Sequence, residues 1–433
     1  MSSAGESRAS KRRKKERSRA RVGPAETSAG ADNEPTAGAG TTQIAQSAGA
    51  PENVVLGSLK TLLEASNDYE GVAADVMQHL VYPTRREAFY ENWWKKGPLL
   101  SARGNKTHFK GLPTRKSIEK SVQEHAMALN KDIHIRKRVC GVEEGDSDSG
   151  VISAKRIWKY FDDGYVLELL HPQKYFDKLW QYISLLEIEI KSTIVPSLIV
   201  APSGAQCFED DLLAERADTI VLQLAGACSW TLTSPEGRVD GKVGEKRART
   251  RAQEVTHCGD ALYIPPEWTF SCSATVGEEA VFCIMRTNHN RSVLDVTEMV
   301  ATQSVAKMVN DSRGSNEPLP RDFFSFMGVV HSEEDEDPRR TLLAACAKRM
   351  MSRLVNDAVD MLDAAADQMA KDFISSRAPI PLSEEEDRLS FSGSGRDIKL
   401  FPYSKIRMIR PGIAIAVVED GHVAVYHCME NSR

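Results

Sequence analysis

The stretch "GDALYIPPEWTFSCS", residues 259–273, decides the fold. Its apolar run Ala261–Ile264 favours a short buried strand. Two prolines then end that strand, because neither can donate a backbone N–H to a neighbour. After the turn the chain presents Trp268 and Phe270. In an antiparallel barrel such a turn often aims one side chain into the cavity, so Phe270 is either a functional residue or a filler of the interior.

Similar β-favouring runs surround this stretch, each bounded by Gly, Pro, Ser or charged residues. They are "IHIRKRVCG" (133–141), "GYVLELL" (164–170), "SLIVAP" (197–202), "TIVLQLAG" (219–226), "SWTLTSP" (229–235) and "AVFCIMRT" (280–287). One predicted helix, "PQKYFDKLWQYISLLEIEI" (172–190), interrupts them. Many short strands without regular βαβ alternation favour an antiparallel barrel or jelly roll.

Predicted helices lie on both sides of the strands. The N-terminal ones are "SLKTLLEAS" (58–66), "YEGVAADVMQHLV" (69–81) and "TRREAFYENWW", which ends at Gly97-Pro98 before an extended stretch from Leu99. The C-terminal ones are "VLDVTEMVATQSVAKMV" (293–309) and one long amphipathic run, 339–374, which is typical of an intermolecular or interdomain bundle. The last segment predicts strands joined by a turn at Asp420-Gly421.

Composition excludes several classes of protein. The chain is 41% hydrophobic and 27% charged, without an apolar signal core or a run long enough to cross a bilayer, so we expect an intracellular protein. Its eight cysteines form no CxxC pair, which indicates reduced, mostly buried thiols. His257-Cys258 near Cys272 is a weak signal for a metal site.

The charge is asymmetric. The net charge is -5, but residues 1–21 alone carry +7 and leave -12 to the remainder. The basic residues concentrate in "KRRKKERSRAR", Lys11 to Arg21, which predicts a nuclear or nucleolar address or a phosphate-binding arm. Residues 1–53 contain almost no large apolar groups, so this basic, low-complexity tail is predicted to be disordered.

Seven segments occur in an order and spacing that resemble the JmjC-domain ribosomal oxygenases. They are "FYENWWKKGPLL", "VLELLHPQKYFDKLWQYI", "APSGAQ…TIVLQLAGACSWTLTSP", "GDALYIPPEWTF", "LPRDFFSFMGVVHSEEDEDPRRT", "DQMAKDFI" and "MENSR", from about residue 85 onward. This family is the nucleolar branch of the Fe(II)/2-oxoglutarate enzymes that hydroxylate histidines of ribosomal proteins.

The resemblance implies an α+β architecture. After the tail it places a JmjC double-stranded β-helix (jelly roll) with N-terminal helices over residues 54–291. A helical dimerisation domain would follow over 292–376. A winged-helix-like domain would cover 377–433 and is expected to be incomplete, because family members continue beyond the segment matched by "YHCMENSR".

The positions that carry the family's chemistry depart from its pattern. Family members hold iron with an HxD pair and a distal histidine, and a lysine binds 2-oxoglutarate. In this chain the HxD positions fall on Leu213 and Glu215, the distal histidine on Phe270, and the lysine on Cys228. Leucine and phenylalanine have no lone pair to give a metal. We therefore predict no catalytic residue and no intact metal or cofactor site; Fe(II) and 2-oxoglutarate are expected only if the protein is active.

These departures favour a protein that has lost Fe(II)/2-oxoglutarate chemistry and acts as a nuclear or nucleolar binding or dimerisation scaffold. The alternative is an active hydroxylase or histone lysine demethylase that recruits ligands from His171, His257 or His289. A barrel adapted to another small ligand or metal is a third reading. Expected partners are a second copy or a paralogue, a ribosomal protein or histone, and nucleic acid bound nonspecifically through Lys11–Arg21, but no membrane.

Overall fold

The computed structural model describes residues 69–139, 142–145, 150–208, 217–234, 251–287, 292–311, 318–329, 337–382, 386, 388, 399, 401–405, 408, 412–419 and 421–431. All of them belong to one compact unit, Thr41–Arg433. The predicted basic tail and the predicted helix at 58–66 lie outside the described residues.

Helices and strands follow one another along the chain. The helices are α1 Tyr69–Val81, α2 Arg86–Asn92, α3 Arg115–Glu124, α4 Ala154–Asp162, α5 Asp177–Ile190, α6 Val293–Asp311, α7 Phe323–Phe326, α8 Pro338–Ala358 and α9 Leu362–Ser376. The strands are β1 Leu99–Ser101, β2 Met127–Ala128, β3 Ile133–Val139, β4 Val142–Gly145, β5 Val151–Ile152, β6 Val166–Leu170, β7 Ile194–Ala201, β8 Gln206–Phe208, β9 Thr219–Ala225, β10 Ala227–Thr233, β11 Arg251–His257, β12 Ala261–Ile264, β13 Thr269–Ala274, β14 Ala280–Thr287, β15 Ala414–Glu419 and β16 His422–His427.

Two antiparallel sheets form the jelly roll. The larger has the strand order β1-β12-β9-β14-β7-β6-β3-β4, and the smaller has the order β11-β10-β13-β8. The predicted run "ALYI" is β12, which pairs with β1 on one side and β9 on the other. The chain then turns after Ile264 and crosses to the smaller sheet as β13, as the two prolines predict.

The middle of the larger sheet is covered on both faces, so β7, β9, β12 and β14 are buried almost throughout. In β14, Val281 and Cys283 belong to the outer core beneath the helices. Their neighbours Phe282 and Ile284 belong to a second core between the two sheets. Successive side chains on a strand point to opposite faces, so one strand serves both cores. We call this second core the jelly-roll interior.

The segment "FYENWWKK" docks on the outer face of β12 through Tyr263. The Tyr263 ring lies 5.0 Å from that of Phe89 and 5.4 Å from that of Trp94. Its hydroxyl donates to Asp218 Oδ1 at 2.6 Å and accepts from the backbone N–H of Lys95 at 2.8 Å. The pKa of Tyr263 is raised by burial and by the adjacent Asp218 carboxylate, so the hydroxyl remains a donor. Tyr263 therefore holds the segment "FYENWWKK" against β12.

A histidine pair and a buried arginine hold α1 against the turn before β12. Arg103 donates from its guanidinium to Gly259 O at 3.0 Å, and its backbone N–H donates to Asp260 Oδ1 at 2.8 Å. The rings of His79 and His108 stack 3.9 Å apart. Burial and the charge of Arg103 lower the pKa of His79 to about 4 and that of His108 to about 3. Both rings are neutral near neutral pH.

The helical region after the jelly roll differs from the prediction in one respect. The run 339–374, predicted as one long helix, is two helices, because the chain turns between Ala358 and Leu362. Helix α6 packs against both α8 and α9. The predicted helix 172–190 likewise begins as a separate 3₁₀ turn, Pro172–Lys174, and restarts at Asp177 as α5. Within the described part of the chain, no helix is long and apolar enough to cross a membrane.

The C-terminal region contacts the jelly roll through a buried ion pair. Arg377 Nε donates to Glu187 Oε2 at 3.1 Å, and the guanidinium also donates to the carbonyls of Ser184 and Gly412. Burial raises the pKa of Glu187 to about 6. Strands β15 and β16 form the predicted hairpin, with Gly421 at φ 77° in its turn, and pack on α9. A winged helix over 377–433 stays a prediction, because much of that range lies outside the described residues.

The stacked histidines should make the protein acid-sensitive. Their folded pKa values lie below the ordinary value of 6.5, so the unfolded state binds more protons between pH 6.5 and 4 and stability falls as the pH decreases through that window. We expect His79→Phe, which keeps an aromatic ring, to reduce the slope of the free energy of unfolding against pH by up to about 1.4 kcal/mol per pH unit. Urea denaturation at several pH values between 4.5 and 7 measures this slope.

The matched control is His422→Phe, which replaces an exposed histidine in the hairpin. It should leave the slope unchanged. An unchanged slope in His79→Phe would contradict the assignment of acid sensitivity to this pair.

Candidate functional site

The jelly-roll interior is where the chemistry of this fold would be placed, and β10 and β13 form one of its walls. Their inward side chains are Cys228, Trp230 and Leu232 on β10 and Phe270, Cys272 and Ala274 on β13. The two strands pair directly, with Trp230 opposite Cys272 and Leu232 opposite Phe270. Both predicted site residues that the structure describes, Cys228 and Phe270, therefore face the interior from adjacent strands.

Phe270 belongs to an aromatic cluster that fills the interior. Its ring lies 5.6 Å from Trp230 and 5.9 Å from Phe208. Phe282, from the opposite sheet, lies 5.6 Å from Trp230 and 6.4 Å from Phe208. Only 1% of Phe270 is exposed. Aromatic rings at these separations are in packing contact, so they join the two sheets as a core does.

The polar groups at this level of the interior satisfy one another. Trp230 Nε1 donates to Thr256 Oγ1 at 2.9 Å, and Thr256 Oγ1 donates to Gln223 Oε1 at 2.8 Å. Gln223 Nε2 in turn donates to Ala225 O at 2.8 Å. A closed chain of this kind stabilises a buried polar group without a ligand.

Three thiols occupy the wall where the family's cosubstrate lysine is expected. Cys272 lies within hydrogen-bonding contact of both Cys207 and Cys228, and all three are buried. Burial and the neighbouring thiols raise the pKa of Cys272 well above its ordinary value. A thiol of that kind is neutral and unreactive. A cysteine side chain has no positively charged form, so Cys228 supplies no charge for the carboxylate that a lysine would bind.

The described residues do not fit Fe(II) or 2-oxoglutarate. A facial triad requires imidazole and carboxylate ligands, whereas Phe270 offers a hydrocarbon ring. No group of three or more His, Cys, Asp or Glu that could hold a metal occurs among the residues described. Leu213 and Glu215, the predicted HxD positions, lie outside the described residues, on the link between β8 and β9.

Of the three histidines of the alternative hypothesis, the two that the structure describes are not brought together with this wall. His257 is exposed, with Nδ1 3.7 Å from Asp260 Oδ2. His171 precedes the 3₁₀ turn and lines a cavity outside the interior. His289 lies outside the described residues. Cys258 contacts the carbonyls of Leu224 and Lys106, so the weak His257-Cys258-Cys272 signal forms no site.

Sequence reasoning found Phe270 and Cys228 but missed the side chains that surround them. Phe208, Trp230 and Phe282 were not identified as interior residues, although a signal was present. Cys228, Trp230 and Leu232 alternate with more exposed residues, which is the period-two pattern of a half-buried strand.

Comparison with known proteins agrees with this architecture. A family model described as "JmjC domain" matches residues 168–291. Human "Ribosomal oxygenase 1" is 26% identical over 386 residues, which cover 83% of this chain and 58% of that protein. The Branchiostoma floridae protein "Bifunctional lysine-specific demethylase and histidyl-hydroxylase NO66" is 25% identical over 373 residues, with 83% and 58% covered. The chain thus spans less than two thirds of the length of these two relatives.

Among solved structures, the Escherichia coli ribosomal oxygenase YcfD is similar at 14% identity and a TM-score of 0.40, covering 71% of this chain and 77% of that one. A second YcfD structure gives 12% identity and a TM-score of 0.44, covering 69% and 74%. The sequence matches show a JmjC domain and homology to the ribosomal oxygenase 1 and NO66 proteins.

Phe270 should contribute strongly to stability because its ring is buried among other rings. We expect Phe270→Ala to lower the free energy of unfolding by about 3–5 kcal/mol. The control Phe324→Ala removes an 86% exposed ring and should cost at most about 0.5 kcal/mol. Urea denaturation followed by tryptophan fluorescence compares the two. A cost for Phe270→Ala as small as the control's would contradict a filled interior.

Proposed function

We propose that this JmjC protein, a homologue of the ribosomal oxygenases, has lost Fe(II)/2-oxoglutarate chemistry and acts as a binding and dimerisation scaffold. The observation that carries the proposal is the place of Phe270. The resemblance places it at the position of the family's distal iron ligand, and its ring packs in the aromatic cluster, 5.6 Å from Trp230 and 5.9 Å from Phe208.

The energetics of the interior support this proposal. A side chain such as Phe270 gains about 1.5–3 kcal/mol from full burial, and an open metal site at this position forgoes that gain. 2-Oxoglutarate is a dianion, and placing its carboxylate beside Cys228, which has no positively charged form, leaves a buried charge unpaired, which is costly. The interior is thus better suited to holding two sheets together than to binding an anion and a cation.

The surface of the helical region supports the scaffold role. Met351, Val355 and Val359 recur every four residues and are 63%, 70% and 73% exposed. No residue of α8 is fully buried within this chain. Exposed apolar side chains aligned along one helix face mark interaction surfaces. A second copy of this chain, or a paralogue, is the partner we propose for this face.

The basic run near the N-terminus supports a nuclear or nucleolar location and further binding partners. The run Lys11–Arg21 is suited to a nuclear or nucleolar address or to nonspecific contact with nucleic acid. A ribosomal protein or a histone is the protein partner that the resemblance to the ribosomal oxygenases implies. These basic residues lie outside the described part of the chain, so the proposal rests on their sequence alone.

Loss of catalysis predicts no turnover. Purified protein incubated with Fe(II), 2-oxoglutarate and a ribosomal-protein peptide should release no succinate above a blank without enzyme. Human ribosomal oxygenase 1 is the comparison enzyme under the same conditions. Mn(II) with 2-oxoglutarate should likewise leave the melting temperature unchanged, because a bound ligand would raise it.

Glu215→Ala separates a true result from contamination. Succinate release that exceeds the blank and disappears in this variant would overturn the proposal and favour an active hydroxylase or demethylase. Release that persists in the variant comes from another source.

Dimerisation makes a separate prediction. The protein should sediment as a dimer at micromolar concentration. The double variant Met351→Glu/Val355→Glu should raise the dimer dissociation constant by about tenfold or more, because it buries charge in an apolar contact. Val276→Glu, at an 85% exposed position of the jelly roll, is the matched control and should leave it unchanged. A wild-type protein that sediments only as a monomer would remove the dimerisation part of the proposal.

A further inference from the structure

Three aromatic side chains of the described residues are exposed, and two of them lie side by side in the C-terminal region. Phe401 is 51% exposed and Tyr403 is 81% exposed, while the third, Phe324, lies on α7. The rings of Phe401 and Tyr403 are nearly parallel, with an angle of 4° between their planes and 5.5 Å between their centroids. The pair therefore presents flat aromatic surface to solvent instead of to a core.

A tight turn holds the two rings in this arrangement. Phe401, Pro402, Tyr403 and Ser404 form a four-residue turn in which the backbone N–H of Ser404 donates to Phe401 O at 2.8 Å. The backbone N–H of Phe401 donates in turn to Ser404 Oγ at 2.9 Å. Pro402 occupies the second position, where its fixed φ favours such turns. The ring pair is thus formed before any ligand binds, so less conformational entropy is lost on binding than for free side chains.

Positively charged residues flank this ring pair in the sequence. Lys399 and Lys405 lie on either side of the turn, are exposed and form no ion pair with a described residue. Residues 396–410, "RDIKLFPYSKIRMIR", hold five Lys or Arg against one Asp, a net charge of +4. The chain from residue 22 onward carries -12, so its remainder without this segment carries -16. The segment is therefore a local basic site on an acidic protein, which favours an anionic partner.

The third exposed ring, Phe324, shows that exposure alone does not make such a site. Its ring contacts that of Phe323 edge-on, with 79° between the planes and 5.3 Å between the centroids. The nearby Arg339 is paired with both Asp322 and Asp337. Phe324 therefore has neither a parallel neighbour nor a lysine on each side, and it serves as a control.

We propose that the turn Phe401–Lys405, together with Lys399, is a binding site for a single strand of nucleic acid. An unpaired base stacks on the Tyr403 ring, and the phosphates on either side of that base bind Lys399 and Lys405. Proteins that bind single strands combine aromatic rings, on which bases stack, with positive charge along the backbone. A double helix does not fit, because its bases are stacked on one another and only its phosphates are free to bind. The basic run Lys11–Arg21 contains no aromatic residue, so it is a separate site.

The dependence of binding on the bases separates this site from the basic run. Fluorescence anisotropy measures binding of the full chain to a labelled oligouridine of about ten nucleotides and to an abasic strand of the same length, which keeps the phosphates and lacks the bases. The basic run binds both strands alike, whereas stacking favours the strand with bases. We expect oligouridine to bind at least about fivefold tighter than the abasic strand. Oligodeoxyuridine, measured alongside, shows whether RNA or DNA is preferred.

Variants of the ring assign the base contact. Tyr403→Ala should bind the two strands equally, because it removes the stacking surface and no charge. Tyr403→Phe keeps the ring and should keep the preference for bases. Phe324→Ala removes an exposed ring elsewhere and should keep it as well. Because Tyr403 is exposed, its replacement should leave the protein folded.

Variants of the lysines assign the phosphate contacts. Lys399→Gln/Lys405→Gln should reduce the slope of log Kd against log salt concentration by about 1.4, since each phosphate contact on a single strand contributes about 0.7. The matched control is Lys110→Gln/Lys116→Gln, which removes two exposed lysines at the start of α3 and before it. It should leave the slope unchanged.

Three outcomes overturn the proposal. One is equal binding of oligouridine and the abasic strand by the wild type, which would assign all binding to phosphate contacts. Another is a preference for bases that Tyr403→Ala leaves unchanged, which would place the bases elsewhere. In the third, vesicles of phosphatidylserine and phosphatidylcholine bind the wild type but not Tyr403→Ala, while oligouridine binding shows no dependence on bases. The turn would then be a membrane contact instead.

Discussion

The packing of Phe270 between Trp230 and Phe208 is the interaction on which the jelly-roll interior depends. Two sheets that face each other leave a space that must hold either a ligand with its polar groups or a dry core. Residue type at a few inward positions decides between these outcomes. With rings from both sheets in contact, this chain has the dry core. The strand that follows the proline turn presents the hydrocarbon ring of Phe270 to this interior.

The same alternation that fills the interior also docks the rest of the chain. On β12, Leu262 faces the interior while Tyr263 faces outward to Phe89 and Trp94. Tyr263 therefore has a structural role. Asp218 and the Lys95 backbone hold the end of β12 from outside, whatever side chain the following turn presents to the interior.

Strands rich in apolar residues could be predicted from the sequence, and so could β3 and β10, in which polar and apolar residues alternate. The runs that became β6, β7, β9, β12 and β14 are buried on both faces and read as continuous apolar segments. In contrast, β11 and β13 were missed because most of their outward residues are polar and their inward ones include Glu254, Thr256 and Cys272. Phe270 could be placed by its distance from the proline turn. Its neighbours from β8 and β14 could not, because no local pattern encodes the pairing of distant strands.

The break between α8 and α9 has no proline or glycine to announce it, so propensity alone favours one helix. Tertiary packing decides instead, because α9 must reach α6 and the β15-β16 hairpin together. The ion pair between Arg377 and Glu187 arises in the same way. The two residues lie 190 positions apart, so only the folded chain brings them together, where α5 meets the segment after α9.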